Sequence, residues 1–232
     1  MAGFFFNNPD GTRQFDSNNW PCIGIVSKVS VPSASLVGGA EFPFWTARFI
    51  DITVTGVSPM IALHIPASLH PVGGYPEKVG GIYSTRKIGS SFTFRIYIFS
   101  TNSDWSFTYY VIDRMTVPHD GMGLTFWSED GAVVFSTAMK HLQVAGSQTV
   151  GRKYAAVGFV FVTMTEDFND DFSNPSVRYE VTAEGFYALG DHVYAGSKVA
   201  DGGVVSGTSG PPFSGRDIGV RCPPLYIDVT GI

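Results

Sequence analysis

The segment Asp167-Phe-Asn-Asp-Asp-Phe-Ser173 sets oxygen-bearing side chains at alternate positions, Asp167, Asn169, Asp171 and Ser173, as the start of a calcium-binding loop does. Such a loop needs a glycine at its sixth position for the sharp turn and a bidentate glutamate at its twelfth. Phe172 and Arg178 stand there instead, which excludes the standard loop. Two readings remain: a looser calcium site between strands on Asp167, Asn169 and Asp171, or a solvated acidic hairpin loop. The second is the simpler.

The other chemistries fare worse. A serine-hydrolase elbow needs Gly-x-Ser-x-Gly on a strand–turn–helix. The nearest stretch, Gly207 to Gly210, is followed by Pro211 and reads as loop. The five histidines, His64, His70, His119, His141 and His192, are not paired at metal-ligand spacing, and no Cys-x-x-Cys occurs. A glycosidase needs two carboxylates facing each other across a sugar groove. The acid pairs Glu166/Asp167, Asp170/Asp171 and Glu180/Glu184 are the candidates, and most acids fall in turns. The chain is therefore expected not to be an enzyme and to need no cofactor. Trp20, Tyr75, Tyr83, Trp105, Trp127 and Tyr187 are the aromatics that loops could present to sugar rings or a partner; packing within the sheets is the plainer role for each.

The elements that would carry these residues are strands. Charged residues make up only 15% of the 232 residues and aromatics 14%, with 27 glycines, which suits strands joined by tight turns. Alternation predicts strands over Ile23–Val31, Trp45–Val54 and Ile61–Ile65. Phe92–Ser100 and Phe107–Ile112 read as the clearest hairpin, turning at Thr101–Asp104. Further strands are expected at Gly123–Trp127, Val133–Ser136, Leu142–Ala145, Ala155–Thr165, Val177–Ala183 and Leu225–Val229. Within these, residues 158–164 read as buried on both faces.

The net charge of −5 carries no basic stripe, so nucleic acid is not an expected partner. The first residues lack a charged region and an adequate apolar run, so no secretory leader is expected. Apolar runs such as Ala155–Met164 are too short to span a bilayer, so no membrane insertion is expected. Synthesis and folding in a cytoplasm follow. Cys22 and Cys222 are too few for a disulfide scaffold and read as free thiols. The alternative is a bridge between them that ties the two ends of the chain.

One internal repeat organises the chain. Gly3, Phe6, Asp10, Gly11 and Phe15 recur 120 residues later as Gly123, Phe126, Asp130, Gly131 and Phe135. Asp-Gly between apolar strands signals a hairpin, because glycine takes positive φ without steric cost and aspartate tolerates it. Asp10 and Asp130 are thus turn residues, not acids for catalysis, and the phenylalanines are expected in the core. The seam is expected at 117–122. The expected fold is all-β, with two small antiparallel sandwich-like units, each opening with an Asp-Gly hairpin. Residues 1–118 and 119–188 would form the two domains. Residues 189–232 would be a Gly/Pro/Ser-rich arm with a terminal strand, marked by Gly202, Gly203, Pro211, Pro212, Pro223 and Pro224. Such an arm suits strand addition between subunits.

The second copy, the Tyr-Tyr-Val-Ile-Asp approach at 109–113 and the exit His141-Leu-Gln-Val144 together resemble small tail-tip and fibre-associated proteins of siphophages. The first copy shares the pattern up to Phe15 and then departs into Trp20-Pro-Cys. The resemblance covers residues 3–31 and 105–145. It implies a virion component of the distal tail, a minor tail protein partnered by other tail-tip or tail-fibre proteins and working in host attachment or assembly. Tail parts close around symmetry axes, so a homo-oligomer is expected, a trimer first. A receptor-binding module for a host glycan or outer-membrane protein is the alternative, and a depolymerase the third reading.

Overall fold

The computed structural model describes the backbone of residues 5–7, 13–16, 23–39, 41–42, 44–71, 73–114, 125–127, 133–136, 142–169, 176–206 and 224–232. Side chains are described for 23–39, 41–42, 44–71, 73–114, 142–163, 179–202 and 224–232. The strands in the first part of the chain are β1 (Phe5–Asn7), β2 (Arg13–Asp16), β3 (Ile23–Val31), β4 (Ala47–Thr55), β5 (Met60–His64), β6 (Lys78–Ile88), β7 (Ser91–Ser100) and β8 (Phe107–Arg114). After them come β9 (Thr125–Trp127), β10 (Val133–Ser136), β11 (Gln143–Ala145), β12 (Tyr154–Val157), β13 (Phe161–Asn169), β14 (Ser176–Leu189), β15 (His192–Ser206) and β16 (Leu225–Asp228).

The fold is all-β. One antiparallel sheet runs β11-β16-β12-β5-β8-β3. The other runs β13-β14-β6-β7-β4, with β15 on the free side of β14. Alternation along the strands builds the core. Phe94, Ile96 and Ile98 of β7 meet Val31, Leu63 and Phe107 of the first sheet in one cluster. The intervening Tyr97 and Phe99 pack on the opposite face with Phe42, Phe44, Val162 and Val181. β7 is thus buried on both faces at Ile96, Tyr97, Ile98 and Phe99, which explains the unbroken apolar run there.

The repeat is a repeat of structure. Phe6 faces Phe15 across β1–β2, and Phe126 faces Phe135 across β9–β10. The outer pairs Phe5–Asp16 and Thr125–Ser136, and the inner pairs Asn7–Arg13 and Trp127–Val133, also match at the 120-residue offset. Both hairpins skip a residue at the same place, and each is a two-stranded sheet of its own. Asp10, Gly11, Asp130 and Gly131 lie outside the described residues, as do Cys22, Cys222 and the side chains of the four phenylalanines.

Three expectations need correction. First, β7 and β8 are not a hairpin: β7 pairs with β4 and β6, and β8 with β3 and β5, so 101–106 is a crossover between sheets. Second, Ala155–Thr165 is two strands in different sheets, β12 and β13, broken at Gly158, where the Phe186 ring fills the space a Cβ would need. Residues 158–164 are not buried on both faces either. Val160 and Val162 are buried, while Phe159 next to Val160 is 46% exposed and Phe161 between the two valines is half-buried. Third, the arm expected from 189 is a strand for its first part. β15 pairs along the whole of β14 and contains Gly202 and Gly203, because the Gly190-Asp191 turn folds it straight back. Pro224 precedes β16; Pro211, Pro212 and Pro223 lie outside the described residues.

The expected boundary after residue 118 also does not divide the sheets. The first sheet takes β3, β5 and β8 from before it and β11, β12 and β16 from after. The second takes β4, β6 and β7 from before and β13, β14 and β15 from after. Two glycines make that join possible. A Cβ on Gly185 would lie 2.6 Å from the Gly80 carbonyl oxygen, at the point where β14 meets β6.

Candidate functional site

The crossover at 101–106 holds the densest polar cluster. Asp104 Oδ2 accepts a hydrogen bond from Lys78 Nζ at 2.7 Å. Its Oδ1 accepts from Ser33 Oγ at 2.9 Å, from the Ser106 amide at 2.9 Å and from Ser106 Oγ at 2.6 Å. Lys78 is only 1% exposed and also donates to the Ser106 carbonyl at 2.9 Å. Burial pushes the Lys78 pKa down, and Asp104 opposes that. Burial pushes Asp104 up, but the bonds from Lys78, Ser106 and Ser33 outweigh it and hold the carboxyl well below the usual range. The cluster ties both sheets together at the crossover: Lys78 is buried, and the half-exposed Asp104 carboxylate accepts from Lys78, Ser33 and Ser106.

A second network lies on the outer face of the second sheet. Arg95 grips Asp51, its partner across β4–β7, with Nε and Nη2 at 2.8 and 2.7 Å. It also donates to Glu41 and lies 4.6 Å over the Phe49 ring. Glu41 accepts from the buried Tyr97 hydroxyl at 2.7 Å, and that bond holds its carboxyl below the usual range. Burial, then Glu41, pushes the Tyr97 hydroxyl far up. The paired carboxylates Glu41 and Asp51 thus serve one guanidinium, and they hold the segment that places Phe42 and Phe44 in the core.

The remaining candidate residues are scattered. His64 Nδ1 lies 2.9 Å from the Tyr154 carbonyl, and burial lowers its pKa. His192 lies 3.1 Å from the Thr149 carbonyl, and His70 stacks on Tyr75. His119 and His141 lie outside the described residues. Asp167 and Asn169 are ladder residues of β13, opposite Arg178 and Ser176, while Asp170 and Asp171 lie outside the described residues. Asn169 pairs with Ser176, and residues 170–175 between them lie outside the described residues. Glu166 and Asp167 are consecutive ladder residues of β13, opposite Tyr179 and Arg178. Glu180 and Glu184 share a face of β14 about 13 Å apart, against the roughly 5–10 Å of glycosidase pairs. No three metal-ligating side chains converge among the described residues.

The Tyr-Tyr-Val-Ile-Asp segment is structural in every member. Tyr109 packs on the core between the sheets and Tyr110 on the opposite face. Asp113 accepts the Val57 and Ser58 amides, each at 3.0 Å, and so fixes the loop between β4 and β5.

Among the described residues, Trp45, Tyr75, Phe159 and Tyr194 are exposed aromatics. Residues 68–77 form a small hairpin, with Leu69 bridged to Pro76 and the His70 amide bonded to the Tyr75 carbonyl at 2.8 Å. Gly73 and Gly74 take φ of +89° and +66°, which favours glycine at the tip. The His70 and Tyr75 rings stack at 4.7 Å and 9°. Pro76 and the Tyr187 ring both adjoin Gly196, and Tyr187 pairs with the exposed Tyr194 at 5.7 Å between rings. Of the aromatics expected in loops, Tyr75 is exposed, while Tyr83 packs on Phe42 and Tyr97. Trp105 donates to the Thr46 carbonyl at 2.9 Å. Trp20 and the Trp127 side chain lie outside the described residues. Sequence reasoning missed Trp45, 63% exposed, because it stands at the start of an apolar strand and reads as core. Against protein-family models, characterised proteins and solved structures, the chain finds no match.

Proposed function

We propose that this chain is a structural component of a bacteriophage tail tip, or an adaptor for a tail fibre, that acts through protein–protein interfaces in host attachment or tail assembly. The observation that carries the reading is the repeated hairpin. The unit on which the tail-protein resemblance rests occurs twice in one register, each time as a two-stranded sheet of its own. A lone two-stranded hairpin is marginal in water and gains most when a neighbour covers it. Two such hairpins suit a part that docks to other tail-tip or fibre proteins and to further copies of itself around a symmetry axis, a trimer first. The polar clusters support a non-catalytic role, since their groups are spent on internal bonds. Mass spectrometry of purified virions is expected to find the chain, at a copy number set by the symmetry of the tail. Virions that lack it overturn the reading.

The stacked His70 and Tyr75 rings favour a second reading, a receptor-binding module for a host surface glycan. Ring faces of this kind stack on the C–H face of a sugar. The isolated protein would then be retained on immobilised host envelope, and Tyr75→Ala would weaken retention about ten-fold. Passage of the wild type without retention removes this reading.

A further inference from the structure

β15 is an edge strand whose outer side is occupied at Val193 and at Ala200 and open between them. Its inner side pairs with β14 along its length, with a bulge at Ala200. At one end the Gln148 side-chain amide imitates a neighbouring strand: Nε2 donates to the Val193 carbonyl at 2.5 Å and Oε1 accepts from the Val193 amide at 2.7 Å. Seven residues further on, at the bulge, Thr46 Oγ1 donates to the Ala200 carbonyl at 2.7 Å. The ladder sets the direction of the groups between. The Ala188 amide and carbonyl bond to the segment at 65–67 and those of Val193 to Gln148, so Ala188 and Val193 face each other without bonds. Alternation along an antiparallel pair then turns the N–H and C=O of Ala195, Ser197 and Val199 outward. Among the described residues these groups have no partner.

Native edges are guarded by charge, bulges or cover. Here the one charged residue between Tyr194 and Val199 is Lys198, which is buried and bonded to Thr101 Oγ1 at 2.9 Å. The window therefore shows small, uncharged residues, Ala195, Gly196 and Ser197, and then Val199, 50% exposed. Trp45 is exposed one residue from the Thr46–Ala200 bond, so a large apolar side chain borders the window.

We propose that this window is a dimer interface, in which β15 of one copy pairs antiparallel with β15 of a second copy about a two-fold axis at Ser197. The outward groups at 195, 197 and 199 are symmetric about Ser197. The axis sets Ser197 against Ser197 and Ala195 against Val199, and every outward N–H meets a carbonyl. A small side chain faces a larger one on each side, and no like charges meet. The bonds at Val193 and Ala200 occupy the outer side on either flank of the window and limit the ladder to it in both copies. A two-fold contact of this kind closes at two subunits and does not propagate into a fibre.

Analytical ultracentrifugation of the purified chain and two double variants tests both surface and register. Wild type sediments as a dimer. A195K/V199K sets lysine against lysine twice across the axis and weakens the dimer about ten-fold or more, with far-UV circular dichroism unchanged. A195K/V199E sets lysine against glutamate twice and keeps the dimer. A wild type that stays monomeric at about 100 µM, or that sediments as a trimer and not as a dimer, overturns the proposal. So does an A195K/V199K variant that dimerises as well as wild type, or an A195K/V199E variant that does not dimerise. The inference is independent of the tail-tip reading, because sedimentation concerns the purified chain and the virion experiment does not.

Discussion

Asp104→Ala is expected to destabilise the protein by about 3 kcal/mol, measured by urea unfolding, which is a large share of a single domain's stability. The loss comes from Lys78, not from Asp104. The carboxylate is half in solvent, whereas the ammonium is 1% exposed and would keep only the Ser106 carbonyl. Removing one partner strands a buried charge, and that desolvation cost is the main term. The double variant K78M/D104A removes the stranded charge and is expected to recover more than half of the loss. A double variant as unstable as D104A would show that the crossover needs the Asp104 hydrogen bonds to Ser33 and Ser106, not relief of Lys78.

The pair also sets a pH dependence. Asp104 has its folded pKa held below its unfolded value of about 3.9. Its contribution is therefore full above about pH 4 and is lost as pH falls from there toward the folded value. Wild type should lose stability on acidification below about pH 4 more steeply than D104A, in which this group is absent. Parallel curves for the two proteins would refute the assignment.

Gly185→Ala is the second large effect, about 3 kcal/mol by the same measurement. The added methyl would sit 2.6 Å from the Gly80 carbonyl oxygen and 3.1 Å from its carbonyl carbon, and a backbone cannot swing aside as a side chain can. The strain falls where β14 joins β6, so the variant also separates the strands after residue 160 from those before residue 100. Amide exchange should quicken at Ile82 and Val160, whose amides bond across that junction. Gly146→Ala is the control, since its Cβ would meet nothing within 4 Å. Equal midpoints for wild type and G185A would mean that the strands do not approach as described.

Much of the strand content was legible in the residues, and much of the pairing was not. β3 and β10 match their alternation to the residue, and β16 and β5 to within one. The crossover at 101–106 was misread because Thr101-Asn-Ser-Asp104 serves a hairpin and a sheet-to-sheet passage equally well. The difference lies in Lys78 and Ser33, distant in sequence, which capture Asp104. β6 and β15 were missed because Gly80, Gly81, Gly196, Gly202 and Gly203 dilute their apolar pattern. A signal was present: Ile88-Gly-Ser-Ser91 and Leu189-Gly-Asp-His192 are two-residue hairpin turns, with Gly89 and Gly190 at φ of +61° and +60°. Of the aromatic surface, Tyr75 and Tyr187 could be named as candidates, but Tyr194 and Trp45 could not, since burial on a strand depends on which neighbours cover it.

The place of β16 bears on how the protein is made. This four-residue strand lies late in the chain, yet it fills an interior slot of the first sheet, between β11 and β12. During synthesis β3, β5, β8 and β12 can assemble, but β11 has no strand to pair with until Leu225–Asp228 has left the ribosome. Once β12 is made, the nascent sheet therefore exposes a vacant edge on it until residues 225–228 follow, and an interior strand of this sheet inserts after the neighbours it lies between.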